Sequence, residues 1–305
     1  MGEYAVRRIF LAVLVIFGVS SVVFIILRLS GDPVTLMLPE GATREDYFRV
    51  QRIMGLDKPI LLQYLIFLER VAQGDFGVSF RYRESAMAVV LERLPATAEL
   101  ALATLAIVVV VAIPIGVLSA VRRGSTFDYF IATVTLSGQS MPNYWFGIML
   151  ILFFAVELRI LPTSGYGSLR NLILPAITLA SQPASRSARF IRSEMLEILA
   201  MDYIRTATAK GLARARILIG HGLRNAAIPL ITLLGLDIGY LLGGAVVTET
   251  VFGWPGVGRL LIDAVNQRDF PVVQATVVFI ALTVVVVNLV IDFCYLLLDP
   301  RIRLT

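Results

Sequence analysis

Charge is scarce in this 305-residue sequence: Asp, Glu, Lys and Arg make up 16% of it, against 57% hydrophobic residues. Water-soluble domains carry about 25% charged residues. A chain this apolar cannot hide its hydrophobic surface inside a water-soluble ball, so lipid is its expected solvent. Cysteine is scarcer still. The single Cys294 excludes a disulfide within the chain and a thiolate metal cluster, and is read as a packed thiol in the last apolar segment. One histidine, His221, excludes a His-x-x-x-His zinc pair. The only lysines, Lys58 and Lys210, precede Pro59 and Gly211, so there is no Gly-Lys-Ser/Thr phosphate loop. The chain therefore cannot hydrolyse ATP by that machinery, and it is read as no enzyme.

Long apolar runs are present instead. A bilayer core needs roughly 20 apolar residues per helix. Ile9–Leu27, Leu100–Val121, Tyr129–Val156 and Pro271–Ile291 are uncharged, and Ala226–Thr248 carries only Asp237. The uncharged Tyr129–Val156 run is long enough to span with tilt. A shorter run, Leu172–Ser185, stops at Arg186 and spans if its following arginines reach headgroups. The expectation is an all-α polytopic membrane protein with six transmembrane helices, at about residues 9–29, 98–121, 129–157, 172–194, 226–249 and 272–297. They form one membrane domain over 1–305, with an external loop and helix segment at 30–95 and a cytoplasmic segment at 195–225. Arg7 and Arg8 precede the first run, but it is too long for a signal-peptide core and lacks a small-residue cleavage site, so it is read as retained.

The charge bias orients the spans. One side carries Arg7, Arg8, Arg122, Arg123, every lysine and arginine from Arg186 to Arg224, and Arg301 and Arg303. The short loops opposite carry Arg159, Arg170, Arg259 and Arg268 against as many acids, Glu157, Glu249, Asp263 and Asp269. The positive-inside rule puts both termini in the cytoplasm of an inner membrane. Nucleic acid is not needed to explain the net charge of +5.

Polar groups inside spans need a reason. Ser137, Gln139, Ser140 and Asn143 surround Met141-Pro142, Gln182 and Ser185 flank Pro183, and Asp237 stands in the fifth span. These seven are candidates for a translocation path; helix-to-helix hydrogen bonding is the alternative. Gly235, Gly239 and Gly243 form a smooth face for helix packing. Phe252-Gly253-Trp254-Pro255-Gly256-Val257-Gly258 is too apolar for a free loop. With Glu249 at the outer end of the fifth span, Phe252 and Trp254 are read as an outer gate. Ile60–Val71 has an apolar face (Leu61, Tyr64, Leu65, Leu68) and is read as a helix on the external surface.

Two other functions compete. A self-contained secondary transporter or channel would rely on a buried carboxylate, and Asp237 is the mid-span candidate. An intramembrane aspartyl protease would pair Asp237 with Asp292, but neither has the Gly-x-Gly-Asp context of such enzymes.

The cytoplasmic segment is the most informative. Tyr203-Ile204-Arg205-Thr206-Ala207-Thr208-Ala209-Lys210-Gly211-Leu212 reads as a short helix ended by glycine, followed by a basic helix through Arg216 to Leu223-Arg224-Asn225-Ala226 and Ile228-Pro229. It is either an exposed helix that inserts into a soluble partner or a basic loop at lipid headgroups. This segment resembles the EAA coupling motif of binding-protein-dependent ABC importer permeases, in the dipeptide, oligopeptide and nickel branch. Tyr203, Arg205, Thr206, Ala207, Ala209, Lys210 and Gly211 match that branch, as do Leu223–Ala226 and Ile228-Pro229. In order along the chain, so do Gly31-Asp32-Pro33, Gly55–Pro59, Gly74–Ser79, Leu94–Thr97, Gly243–Glu249, Phe252–Gly258 and Leu298–Arg303. The resemblance implies a permease, the first of a homologous pair, moving peptides or similar small solutes by alternating access. It implies two ABC ATPase subunits, carrying ATP and Mg, that dock on Tyr203–Leu212 with Arg205, Lys210 and Arg216 in polar contact. It also implies an extracytoplasmic solute-binding protein, and no cofactor or metal in this chain.

Overall fold

The computed structural model describes residues 2–29, 34, 35, 38, 43–53 and 55–298. Gly31-Asp32-Pro33 and residues 299–305 lie outside the described residues, as do the side chains of Asp292 and Cys294 and the surroundings of Gly243 and Gly244. The described residues are helical, with no strand among them and one isolated bridge between Val78 and Ser85.

The chain divides into two compact units. The first holds residues 1–95 and 259–286, the second 96–258 and 287–303. In the first unit, α1 (Gly2–Leu29) is the long apolar helix expected from its uncharged run. After α2 (Arg44–Ile53) comes α3 (Ile60–Ala72), entered through Pro59, whose fixed φ suits a helix start. The two sides of α3 differ. Tyr64 and Phe67 pack on Phe24 of α1, with ring centroids 5.3 and 5.4 Å away, and the Tyr64 hydroxyl lies 2.5 Å from Ser21 Oγ. Ile60, Leu61, Leu62 and Leu65 remain exposed. The apolar face read from the sequence is therefore split, with Tyr64 on the helix and Leu61 and Leu65 facing outward.

In the second unit the long α4 (Ala86–Val121, its first residues in the first unit) leads to α5 (Thr126–Ser140) and α6 (Asn143–Leu150), which widens into a π-helical stretch at Ile151–Glu157. Ser125 caps α5 by accepting from Asp128 N–H. The sequence reads residues 129–157 as one tilted span, but the structure bends it by 109° between α5 and α6. The cause is Pro142. It lacks an N–H, and it forces Met141 out of the helical region to φ −79°, ψ 132°.

Next come α7 (Leu169–Leu199), α8 (Asp202–Ala209), α9 (Arg214–Arg216, widening into a π-helical stretch at Ile217–Leu223) and α10 (Arg224–Val251). They are followed by α11 (Val257–Asn266) and α12 (Phe270–Leu298). The centre of the second unit is α7, which packs on α10, α5 and α6. It buries Leu174, Leu179, Ile191 and Met195 almost completely. One apolar cluster gathers Ile191, Met195 and Ile198 with Ala112, Ala120 and Leu230; another joins Leu179 and Ala176 to Leu100, Leu241 and Trp254.

Among the described residues, three helices are by themselves long and apolar enough to cross a bilayer: Arg7–Leu29, Ala86–Val121 and Phe270–Ile291. Two bent pairs, α5 with α6 and a second within Arg214–Gly235, raise that to five. α7 does not qualify, because Arg186, Arg189 and Arg192 interrupt it. The sequence reading sends these arginines to headgroups. In the structure they turn to neighbouring helices: Arg192 forks onto Asp128 of α5 with two contacts of 2.7 Å, Arg186 pairs with Asp237 of α10, and Arg189 donates to Gln139 at 2.8 Å. A guanidinium shielded from water gains more from a carboxylate at hydrogen-bonding distance than from a distant headgroup.

Asp128 is 3% exposed and also accepts from Ser119 Oγ (2.5 Å) and Gly124 N–H (3.0 Å). Removing one partner strands the other. Breaking a buried pair costs about 3–5 kcal/mol; Arg192 keeps a third of its exposure, so roughly 2–3 kcal/mol is expected here. Asp128→Ala and Arg192→Met should each lower the unfolding midpoint of the detergent-purified chain. The double variant should fall by less than the sum of the two; additive losses would contradict the pairing.

Candidate functional site

Three constellations carry the residues singled out by sequence. The first is the short helix α8. Its buried face is small: Ile204 and Ala207 close on Ile217, with Leu199 and Leu212 against them. The other residues of the motif stand outward, with Tyr203, Arg205, Thr206, Ala209, Lys210, Gly211 and Arg216 exposed and Leu212 half-buried. Asn225 Nδ2 donates to the Tyr203 hydroxyl at 2.9 Å, which ties the start of α8 to the start of α10. The helix ends at Lys210, and Gly211 takes φ +74°, a left-handed conformation that favours glycine. That turn lets Leu212 N–H reach back to Ala207 O and Leu212 close the small core. Arg205 reaches Asp202 at 3.3 Å, with both side chains largely in solvent. The result is a supported ridge with a polar outer face. Beside it a cavity of about 520 Å³ is walled by Val121, Leu196, Leu199, Ile204 and Leu218, with Arg123 and Arg214 on its lining.

The second constellation is the set of polar residues that the sequence offers for a translocation path, and the structure sorts it into three kinds. Ser137, Gln139 and Ser140 are exposed on α5. Ser137 and Ser140 share a surface hollow with Leu136, Tyr144 and Trp145. Asn143 and Gln182 serve the break at Pro142. Gln182 Nε2 donates to Met141 O at 2.9 Å, and Ser181 Oγ lies 3.4 Å from Asn143 Oδ1. This carbonyl lies just before the break, and an amide from the facing helix satisfies it. Ser185 Oγ fills the space a side chain at Gly138 would need, so α5 and α7 approach closely there. Asp237 is 1% exposed, held by Arg186 and lying 3.5 Å from Ser187 Oγ. The sequence did not anticipate its partner. A carboxylate committed to a guanidinium is poorly suited to share a proton with another aspartate or to act as a lone cation ligand. In the glycine face, Gly235 packs on Ile291 of α12, and Gly239 has nothing near it among the described residues.

The third constellation is the segment after α10. Glu249, Phe252 and Trp254 are all at most 1% exposed, so the apolar stretch is a packed plug. Thr97 of α4 is its hub. Its hydroxyl donates to Glu249 Oε1 at 2.7 Å and accepts from Val257 N–H at 2.8 Å. Trp254 N–H donates to Glu249 O, and Trp254 Nε1 donates to Ala96 O, both at 2.8 Å. Phe252 fits against Gly147 of α6 and Thr178 of α7, and Tyr166 meets the Trp254 ring edge-to-face at 4.9 Å. Glu99 beside the Tyr166 hydroxyl raises the phenol above its ordinary pKa. A Cβ at Gly256 would overlap the Glu249 carboxylate. Thr97 was legible only as part of Leu94–Thr97; nothing local ties it to a glutamate so far along the chain. In the first unit Asp269 plays a similar part. It is 1% exposed and gathers Ser79 Oγ (2.5 Å), Phe80 N–H (3.2 Å) and Arg81 N–H (3.3 Å). No group of three or more potential metal ligands occurs among the described residues.

Comparison with known proteins follows the same lines. Residues 112–304 match the model of the family described as binding-protein-dependent transport system inner membrane component, and residues 1–101 match that of its N-terminal part. The chain is 42% identical to the di/tripeptide transport system permease protein of Pseudomonas aeruginosa, over 99% of both chains. It is 39% identical to the dipeptide transport system permease protein of Escherichia coli K12, again over 99% of both. It is 40% identical to the oligopeptide transport system permease protein of Bacillus subtilis, over 99% of this chain and all of that one. Among solved structures, a chain of the MetNI methionine ABC transporter in an inward-facing conformation superposes with a TM-score of 0.59. It is 18% identical and covers 70% of this chain and 97% of that one, a likeness of fold.

The plug yields a test. Thr97→Val keeps the shape but leaves Val257 N–H without its acceptor, a loss of about 1–3 kcal/mol. Thr97→Val and Gly256→Ala should both lower the unfolding midpoint of the purified chain, whereas Thr97→Ser should restore most of it. Equal behaviour of the valine and serine variants would discard the hydroxyl as the hub.

Proposed function

The chain belongs to the binding-protein-dependent inner-membrane transport component family and is a permease subunit of an ABC importer, and from that premise we propose that it imports peptides as one half of a permease pair driven through α8. Peptide cargo is supported by the names of its relatives, which include permeases for di/tripeptides, dipeptides, oligopeptides and glutathione. The pair comprises this chain and a second, homologous permease. Two ATPase subunits bind inside, with ATP and Mg, and a solute-binding protein delivers cargo from outside. The chain is a single transmembrane domain of six spans with both termini in the cytoplasm. Its sixth crossing is α7, whose Arg186 and Arg192 are compensated by protein carboxylates.

The observation that carries the reading is α8: an exposed two-turn helix with a polar outer face, held from beneath by Ile204, Ala207 and Ile217. Such a helix can enter a groove on a motor subunit and move as a body. Arg205, Lys210 and Arg216 make the polar contacts. When ATP closes the motor pair, movement of α8 passes through the Tyr203–Asn225 contact into α10. From there it passes through the Asp237–Arg186 pair into α7. Alternating access follows from the partners' differential affinity for two permease states. Ser137, Gln139 and Ser140 face the path between the two permeases. Asn143, Gln182, Ser185 and Asp237 support its wall. Glu249, Phe252 and Trp254 hold the outer gate.

Gly211→Asp tests the coupling role. It places a β-carbon at φ +74° and a negative charge at a helix C-terminus, both unfavourable. Uptake of a radiolabelled dipeptide should fall at least tenfold, with the amount of chain in the membrane unchanged. Uptake near the wild-type rate would remove the coupling assignment.

A further inference from the structure

Within the first unit, where the apolar run of α1 ends at Arg28, lies a cavity of about 480 Å³ bordered on one side by Phe80 of the turn that Asp269 holds. Its lining has two chemistries. Phe24 of α1 and Phe67 of α3 belong to the aromatic stack between those helices, and Phe76, Phe80 and Phe270 extend the apolar surface. Among the described lining residues, Arg52, Lys58 and Arg70 supply three cationic side chains beyond Arg28, and the one acid is Asp75, whose Oδ1 already accepts from Gly77 N–H at 2.9 Å. The Arg28 guanidinium lies 5.6 Å from the centre of the Phe24 ring.

Position narrows the occupant. A basic residue closing a long apolar helix sits where hydrocarbon meets headgroups. The neighbouring α3 leaves Ile60, Leu61, Leu62 and Leu65 exposed, as a helix lying along the bilayer would. A ligand arriving here would be amphipathic, with an acyl or glycerol portion for the phenylalanines and a negative group for the excess of guanidinium and ammonium charge. We propose that this cavity holds one anionic phospholipid, its phosphate met by the basic rim and its upper acyl region lying on Phe24 and Phe67. The acidic surface of a soluble partner would match the charge but would leave the aromatic floor without an apolar guest.

The test uses the transporter purified with its partner subunits in mild detergent. Native mass spectrometry follows incubation with phosphatidylglycerol or phosphatidylcholine. The wild type should retain one phosphatidylglycerol per copy of this chain under conditions that strip phosphatidylcholine. Retention should drop at least tenfold in Arg52→Glu/Lys58→Glu and stay unchanged in Arg44→Glu, an exposed charge off the cavity. The lipid preference of the wild type needs no variant, so the test survives if the double variant fails to assemble. Equal retention of the two lipids by the wild type, or undiminished retention in the rim variant, would overturn the proposal. So would unchanged lipid retention with weakened stimulation of ATPase activity by the binding protein, which would assign the rim to a protein. Lipid retention, the deciding readout, does not depend on the coupling role of α8, so the two claims fail separately.

Discussion

A carboxylate held away from water must have its charge answered nearby, and α7 offers three arginines in the half of its length after Pro183. Two are met by carboxylates from different helices, Asp128 of α5 and Asp237 of α10, and the third by the amide of Gln139. These contacts, together with the apolar packing of Ile191 and Met195, make α7 the axis of its unit. They also explain how a helix too polar to count as a membrane span by composition lies among helices that do. Because each pair joins two helices, α7 cannot shift without α5 and α10 following or the pair breaking. That is the mechanical property a permease needs if motion at one end is to be felt along its length.

The same device recurs where the backbone is irregular. Glu249 pins the Phe252–Gly258 turn through Thr97 and Val257, and Asp269 pins the Ser79–Arg81 turn in the other unit. In each case a buried carboxylate accepts from a hydroxyl that itself accepts a backbone N–H, so that neither donor is left without a partner, a costly condition away from water. At the Pro142 break a neutral side chain, Gln182, does the equivalent for one carbonyl. The ridge at α8 is built differently. It has little core of its own and a largely polar, exposed surface, as the proposed docking on a motor subunit requires.

Much of this was legible in the sequence because it is written locally. Uncharged runs marked α1, α4 and α12, and Gly211 marked the end of α8. The density of apolar residues in Phe252–Gly258 gave away a segment that could not be a free loop. What was not legible depends on residues far apart in the chain. Arg186 looked like a charge bound for headgroups because Asp237 is 51 residues away. Thr97 looked like an ordinary helix residue because Glu249 is 152 residues away. The bend at Pro142 was foreseeable as a kink, but its size reflects Met141 leaving the helix altogether, which turned one expected span into two helices at 109°.

Gentle solubilisation of membranes containing a tagged copy of this chain, purification, and mass spectrometry of what accompanies it would test the account most directly. The account predicts a second polytopic permease of the same family and ATPase subunits bearing phosphate-binding loops. It predicts that this assembly imports peptide only with ATP and a binding protein. A chain that purifies alone and still carries solute across vesicle membranes without ATP would contradict it.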